Sequence, residues 1–255
     1  MKLFFREYGQ KGNPPIIVLH GLFGSSDNWM PQAKLLSPSW HVFVVDLINH
    51  GQSPHSNEFN YVSMANDLNE FIDDHSISDA VILGHSMGGK VVMNFALAHP
   101  DKLSKLIVVD IAPRAYNLEH YAIADGLFAL DIDSLTTRQQ ADEALSQYVP
   151  EPDVRQFLLK NLQRKPEGGF SWKINLPVIR EQLSNIGLDL QHPGKFEKPT
   201  LFIRGAKSNY VRDSDFARIK EVFPNSKVET METGHWVQAE NPAGFVAVVE
   251  KFLVG

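Results

Sequence analysis

Short apolar runs rich in β-branched residues recur along the chain, and between them apolar residues fall three and four positions apart. The runs are Ile16-Ile17-Val18-Leu19, Val42-Phe43-Val44-Val45, Ala80-Val81-Ile82-Leu83, Leu106-Ile107-Val108-Val109, Thr200-Leu201-Phe202-Ile203 and Lys227-Val228-Glu229-Thr230-Met231. Most show no polar alternation, as expected of strands buried on both faces of a parallel sheet. Helical spacing covers Asp27 to Leu36, Tyr61 to His75, Met87 to His99, Asp213 to Val222 and Pro242 to Leu253. Strand and helix in alternation predict βαβ crossovers. Leu3 to Tyr8 alternates instead, and turn-forming Gly9-Gln10-Lys11-Gly12-Asn13 follows it. That pattern predicts an antiparallel edge strand ahead of the parallel part.

The rhythm breaks between about Arg114 and His192, where helical spacing at Ala122 to Leu130, Thr137 to Tyr148 and Val154 to Gln163 stands almost without strand pattern. This stretch reads as a mainly helical insertion. Pro113 and His192-Pro193-Gly194 mark its hinges, giving a core of residues 1–113 and 193–255 and a cap of residues 114–192.

Composition narrows the function. The 255 residues are 43% hydrophobic and 21% charged, enough to bury a core without covalent staples. The absence of Cys excludes thiol nucleophiles and thiolate metal sites. With 24 Lys+Arg against 30 Asp+Glu, a net charge of −6 and no basic run, nucleic acid is not an expected partner. No apolar stretch approaches the roughly 18 residues of a membrane span, and near the N-terminus only Leu3-Phe4-Phe5 are consecutively apolar. A cytoplasmic protein, monomer or homodimer, is expected.

Immediately after the run Ala80 to Leu83 stands Gly84-His85-Ser86-Met87-Gly88-Gly89, with helical spacing from Lys90 onward. G-x-S-x-G between strand and helix suits a strained turn that lifts a serine hydroxyl to the sheet edge, with free N–H groups at the helix start. A serine needs a base to take its proton, and the base needs an acceptor to fix its tautomer. Among ten His, only His235, in Glu232-Thr233-Gly234-His235-Trp236, follows a strand late enough in the chain to reach back over Ser86. His41, His75, His99 and His120 read as exposed or capping residues, and His85 as packing beside the turn.

The strand Thr200 to Ile203 is followed by Arg204-Gly205-Ala206-Lys207-Ser208-Asn209-Tyr210, which holds no carboxylate. Asp110, at the end of Leu106 to Val109, is the expected acid. Asp213 and Asp215 are the alternatives, and Ser208 is expected to hydrogen-bond near His235. The Gly-rich loop Leu19-His20-Gly21-Leu22-Phe23-Gly24 supplies Leu22 N–H, which with Met87 N–H forms the expected oxyanion hole. His20 reads as a loop brace, and Asp46 to Ser53 as a stabilised turn. Asp73-Asp74-His75 has a metal site's composition without a ligand spacing, so neither metal nor cofactor is expected.

These residues resemble the α/β-hydrolase superfamily over essentially the whole chain. His20-Gly21-Leu22-Phe23-Gly24-Ser25, Asn49-His50-Gly51, Gly84-His85-Ser86-Met87-Gly88-Gly89-Lys90, Asp110-Ile111-Ala112-Pro113 and Gly234-His235-Trp236-Val237 are similar to motifs of bacterial YbfF-type esterases. The resemblance implies an α/β-hydrolase fold, with a mostly parallel sheet flanked by helices and a small helical cap inserted after the sixth strand. It implies a serine esterase that cleaves short- to medium-chain acyl esters through an acyl-enzyme on Ser86, with acyl-CoA thioesters as a further small-molecule substrate. It also implies an acid after the sixth strand and a serine in the more usual acid position, which Asp110 and Ser208 match. Ile48 departs, standing where such sequences often carry Arg.

The elbow and His-Gly loop are also similar to those of succinyl-hydroxycyclohexadiene-carboxylate synthases. That lyase class favours an acid after the seventh strand and an arginine-rich pocket, which fits this chain less well. A ligand receptor that retains the fold is the non-catalytic alternative. In the cap, Tyr116, Tyr121, Phe128, Tyr148, Phe157, Phe170 and Trp172 are candidates to line an acyl pocket or to fill the cap's own core. Between Arg155 and Arg180 six basic residues face one acid, either to attract an anionic substrate or as a solvated face.

Overall fold

In the computed structural model, which describes residues 1–117 and 121–255, the apolar runs and the alternating N-terminal segment join in one sheet. Its first five strands are β1 (Phe5–Tyr8), β2 (Pro15–Leu19), β3 (His41–Val45), β4 (Ala80–His85) and β5 (Leu103–Val109). A separate hairpin, β6 (Leu162–Arg164) and β7 (Phe170–Trp172), comes next, and β8 (Thr200–Gly205) and β9 (Ser226–Met231) complete the sheet. The order across it is β1-β3-β2-β4-β5-β8-β9. β1 runs antiparallel to β3 as the alternation predicts, and every other pairing is parallel.

The helices are α1 (Met30–Leu36), α2 (Tyr61–Asp74), α3 (Met87–Ala98), α4 (Tyr121–Ala129), α5 (Arg138–Leu145), α6 (Pro152–Leu158), α7 (Leu176–Glu181), α8 (Phe216–Val222), α9 (Val237–Glu240) and α10 (Pro242–Val254). Alternate strand residues feed two separate cores, because successive side chains leave a strand on opposite faces. Ile16, Val18, Val44, Leu83, Val109 and Ile203 pack with Ala33, Phe245 and Val249 of α1 and α10. Ile17, Leu19, Val45, Ile82, Val108 and Phe202 pack with Met64 and Leu68 of α2 and Val91 and Phe95 of α3. Among the described residues no helix is long and apolar enough to cross a membrane.

The segment between β5 and β8 departs from the sequence reading in three ways. It contains the β6–β7 hairpin, whose three-residue strands are too short to show a period of two; Gly168 at φ 104° and Gly169 at φ 70° make its turn. The six-residue helix α7 was likewise below the length at which helical spacing is legible. The helix predicted to run to Gln163 ends at Leu158 and passes through a 3₁₀ turn, Leu159–Asn161, into β6. Five sheet strands precede the insertion rather than the six implied by the resemblance, because β1 pairs only β3 and already forms the sheet edge. His120 lies outside the described residues.

Two loops leave the C-terminal ends of β2 and β3 side by side, and each is held by a buried histidine. His20 donates through Nδ1 to Gly21 O at 2.8 Å and accepts Leu47 N–H on Nε2 at 3.0 Å. His50 donates through Nδ1 to Ile48 O at 3.0 Å and accepts Phe23 N–H on Nε2 at 3.2 Å. Each ring must be neutral to accept, and burial pushes the pKa down to about 4 for His20 and about 3 for His50. The Asp46–Ser53 turn is stabilised as predicted: the Asp46 carboxylate accepts Ser26 N–H at 2.5 Å and Gln52 N–H at 2.8 Å, and Ser53 Oγ donates to Asp46 O at 2.5 Å.

This bracing has a pH signature. Unfolded histidine titrates near 6.5, so below that pH the unfolded chain binds two protons that the folded loops refuse until pH falls to 4 and 3. Stability is untouched by these rings above about pH 6.5 and falls below it by up to about 1.4 kcal/mol per pH unit for each ring. Urea unfolding at pH 7 and pH 5 will show a smaller loss for His50→Gln than for wild type; equal losses refute the assignment.

Candidate active site

Ser86 follows β4 and caps α3 at φ 53° and ψ −118°, a conformation L-residues resist. Small neighbours make it possible: a Cβ on Gly84 would lie 2.3 Å from Gly88 O, and one on Gly88 would lie 2.5 Å from His20 O. Ser86 N–H donates to Val109 O at 2.9 Å, which ties the turn to β5. Its hydroxyl has no hydrogen-bond partner among the described residues, and Ser86 lines a cavity of about 90 Å³.

Pairing of His85 with Val109 brings the ends of β4 and β5 level, so Ser86 and Asp110 emerge next to each other. Asp110 is fully buried at φ 49°. Its Oδ1 accepts Gly205 N–H at 3.0 Å, and its Oδ2 accepts His235 Nδ1–H at 2.7 Å together with a short hydrogen bond from Ser208 Oγ. The bond to Asp110 fixes a proton on His235 Nδ1, so the neutral ring presents Nε2 as its acceptor, the tautomer a base requires. The ring is partly exposed and lines the same cavity as Ser86. Asp213 is exposed and pairs with Arg204 at 2.6 Å, and Asp215 pairs with Arg114 at 2.9 Å; neither contacts His235.

His85 packs beside the turn as expected, donating from Nε2 to His235 O at 2.9 Å. Burial and the neighbouring His235 push its pKa down to about 3, so it contributes a neutral hydrogen bond and no charge. Leu22 lines the cavity, Met87 begins α3 directly after Ser86, and neither backbone N–H has an acceptor among the described residues. Two free donors flanking a serine fit the negative oxygen of a tetrahedral intermediate.

The cavity wall is apolar: Leu22, Phe23, Trp29, Ile123, Val154, Phe157, Leu158 and Trp236 contribute to it. Of the aromatics singled out from the sequence only Phe157 is on this wall. Tyr121, Phe128 and Tyr148 are exposed, Phe170 is core, Trp172 packs against the core, and Tyr116 sits behind the acid. Three of the six basic residues are ion-paired within the segment. Arg155 pairs with Asp142, Lys165 with Asp133 and Arg180 with Asp125, while Arg164 lies over the Phe170 ring.

The contacts of four residues were not legible in the sequence because no local pattern marks them, although Tyr116 was a candidate for the pocket wall and Lys90 belongs to the serine motif. The Tyr210 ring stacks on His235 with centroids 4.1 Å apart. Tyr116 Oη donates to Tyr210 O at 2.6 Å and accepts Ala112 N–H at 2.7 Å, bracing that stack. Lys90 is buried, donates to Arg114 O at 2.7 Å, and has its pKa pushed down to about 8 by burial. Asn161 is buried and reaches Phe23 O at 2.8 Å.

Known proteins match this chain nearly end to end. The α/β hydrolase fold family matches residues 14–242. An sn-1-specific diacylglycerol lipase, ABHD11 of Danio rerio, is 36% identical over 96% of this chain and 80% of its own. Esterase YbfF of Escherichia coli is 36% identical over 96% of this chain and 94% of its own. A solved marine microorganism esterase superposes with a TM-score of 0.95 at 41% identity, covering 98% of this chain and 99% of its own. With the sheet order, the serine turn and full-length relatives in agreement, the chain belongs to the α/β-hydrolase fold family.

Proposed function

We propose that this protein is a cofactor-independent serine hydrolase of carboxylic esters, acting on short- to medium-chain acyl groups of small-molecule substrates in the cytoplasm. The observation that carries the reading is the His235 Nδ1–Asp110 Oδ2 hydrogen bond of 2.7 Å in a site that also presents Ser86. The esterase and lipase relatives support the same substrate class. Residues 1–113 and 193–255 act as the hydrolase core and residues 114–192 as its cap.

Ser86 Oγ attacks the ester carbonyl while His235 Nε2 takes its proton. Asp110 keeps the ring in the required tautomer and stabilises the imidazolium that forms. Leu22 N–H and Met87 N–H hold the oxyanion. His235 then returns the proton to the leaving alcohol, and water, activated by the same ring, releases the acid from Ser86. Ser208 Oγ donates to the same Asp110 oxygen that holds His235, which makes it supporting rather than acid. The apolar wall favours an unbranched acyl chain. Thioesters present the same carbonyl to this site, but the ion pairs of the basic cluster weaken any steering of a CoA phosphate.

Ser86→Ala is expected to lower kcat on p-nitrophenyl butyrate by about 10⁴-fold or more; unchanged turnover in pure protein defeats the mechanism. In the same assay Asp110→Asn will lose about 10³-fold to 10⁴-fold, and Ser208→Ala no more than about tenfold because Gly205 and His235 still hold the carboxylate. Full activity of Asp110→Asn removes Asp110 from the triad.

A further inference from the structure

The donor expected from Leu22 sits in a loop that the backbone resists. Gly24 N–H closes a turn onto Gly21 O at 2.9 Å, with Leu22 and Phe23 as its central residues. Gly21 O also accepts His20 Nδ1–H at 2.8 Å. Because that carbonyl is held twice and a peptide is planar and trans, the opposite N–H, that of Leu22, faces away from it and stays free for substrate. Completing the turn requires Phe23 at φ 60°, the left-handed region that glycine tolerates and phenylalanine does not.

Both polar groups of Phe23 are restrained from outside the loop. Its N–H is taken by His50 Nε2 at 3.2 Å. Its carbonyl accepts Asn161 Nδ2–H at 2.8 Å, across 138 residues of sequence. Asn161 is 3% exposed, lies between α6 and β6, and is itself fixed by donating to Leu158 O at 3.1 Å and by its carbonyl accepting Lys173 N–H at 2.8 Å. His50 belongs to the sheet side of the molecule, whereas Asn161 belongs to the segment between β5 and β8. Phe157 and Leu158, just before Asn161, line the same cavity as Ser86.

We propose that Asn161 is a positioning residue that makes the oxyanion hole depend on the seating of the inserted segment. With Asn161 on Phe23 O the strained turn persists and Leu22 N–H remains aimed. When the segment lifts, Phe23 relaxes to negative φ and the hole loses one donor. The inference rests on the serine hydrolase reading of the site.

The test is a double-mutant cycle of Asn161→Ala with Phe23→Gly, read as kcat and KM on p-nitrophenyl butyrate, with hydrogen exchange of the Phe23 amide followed by NMR. In the wild-type background Asn161→Ala will lower kcat about tenfold or more with KM within twofold, and will speed exchange of the Phe23 amide. With glycine at 23 the turn needs no anchor, so the same change will cost less than about threefold. Asn161→Ser, too short to reach the carbonyl, gives the same cycle if the alanine variant does not fold. Equal losses in both backgrounds, a raised KM with kcat intact, or unchanged exchange at Phe23 overturns the inference. Failure of the hydrolase reading looks different: an active Ser86→Ala enzyme, whatever the exchange rate at Phe23.

Discussion

The site depends on the parallel register that sets His85 beside Val109. The pairing carries one bulge at its start, where Ala80 faces Leu103 and Val81 faces Lys105, and from there runs without a break to its C-terminal end. Ser86 and Asp110 therefore occupy the first positions past the ends of adjacent strands. Both take positive φ, Ser86 at 53° and Asp110 at 49°, because each must leave the sheet abruptly. The strain is held by the sheet itself: Ser86 N–H bonds Val109 O at 2.9 Å, and Asp110 N–H bonds Ile203 O at 2.8 Å.

Around this pair the protein spends neutral hydrogen bonds rather than charges. His20, His50 and His85 are buried beside the site, and all three are held below their ordinary pKa by desolvation. Neutral rings can both donate and accept, so His20 and His50 each tie two backbone segments and His85 holds a third contact, without placing a positive charge near Ser86. Asp110, the buried carboxylate beside Ser86, gathers three donors from beyond two other strand ends. Burial of an acid is tolerable only with such partners.

Much of this was legible in the sequence, for a physical reason. Strands buried on both faces need continuous apolar runs, and a strained turn between strand and helix needs Gly84 and Gly88, so β2 to β5, β8 and the position of Ser86 follow from residue type. The places of His235 and Asp110 follow from chain topology, since Asp110 directly succeeds β5 and His235 lies in the loop after β9. What escaped was the geometry of the inserted segment. Its hairpin and α7 are too short for periodicity to register, and the contacts of Asn161 and Tyr116 join positions far apart in sequence. The aromatic residues of that segment advertised a pocket but mostly face solvent or the segment's own core, because an aromatic ring serves either role equally well. That segment's share of the wall comes from Phe157 and from the aliphatic Ile123, Val154 and Leu158, which no sequence pattern separates from core.

The carboxylate that holds His235 comes from the end of β5, not from the loop after β8. Ser208 stands where the resemblance to other hydrolases puts the carboxylate, and its hydroxyl now donates to the carboxylate that has moved to β5. His235 requires only an acceptor oxygen beside Nδ1, and that oxygen is reachable from the end of β5 or from the loop after β8. Once Asp110 supplies it, a second acid at 208 would force two carboxylates to share one imidazole, raising the pKa of one of them. A small donor is the residue that fits, because it satisfies the Asp110 oxygen without bringing charge. The serine at 208 and the carboxylate at 110 thus form one hydrogen-bonded unit.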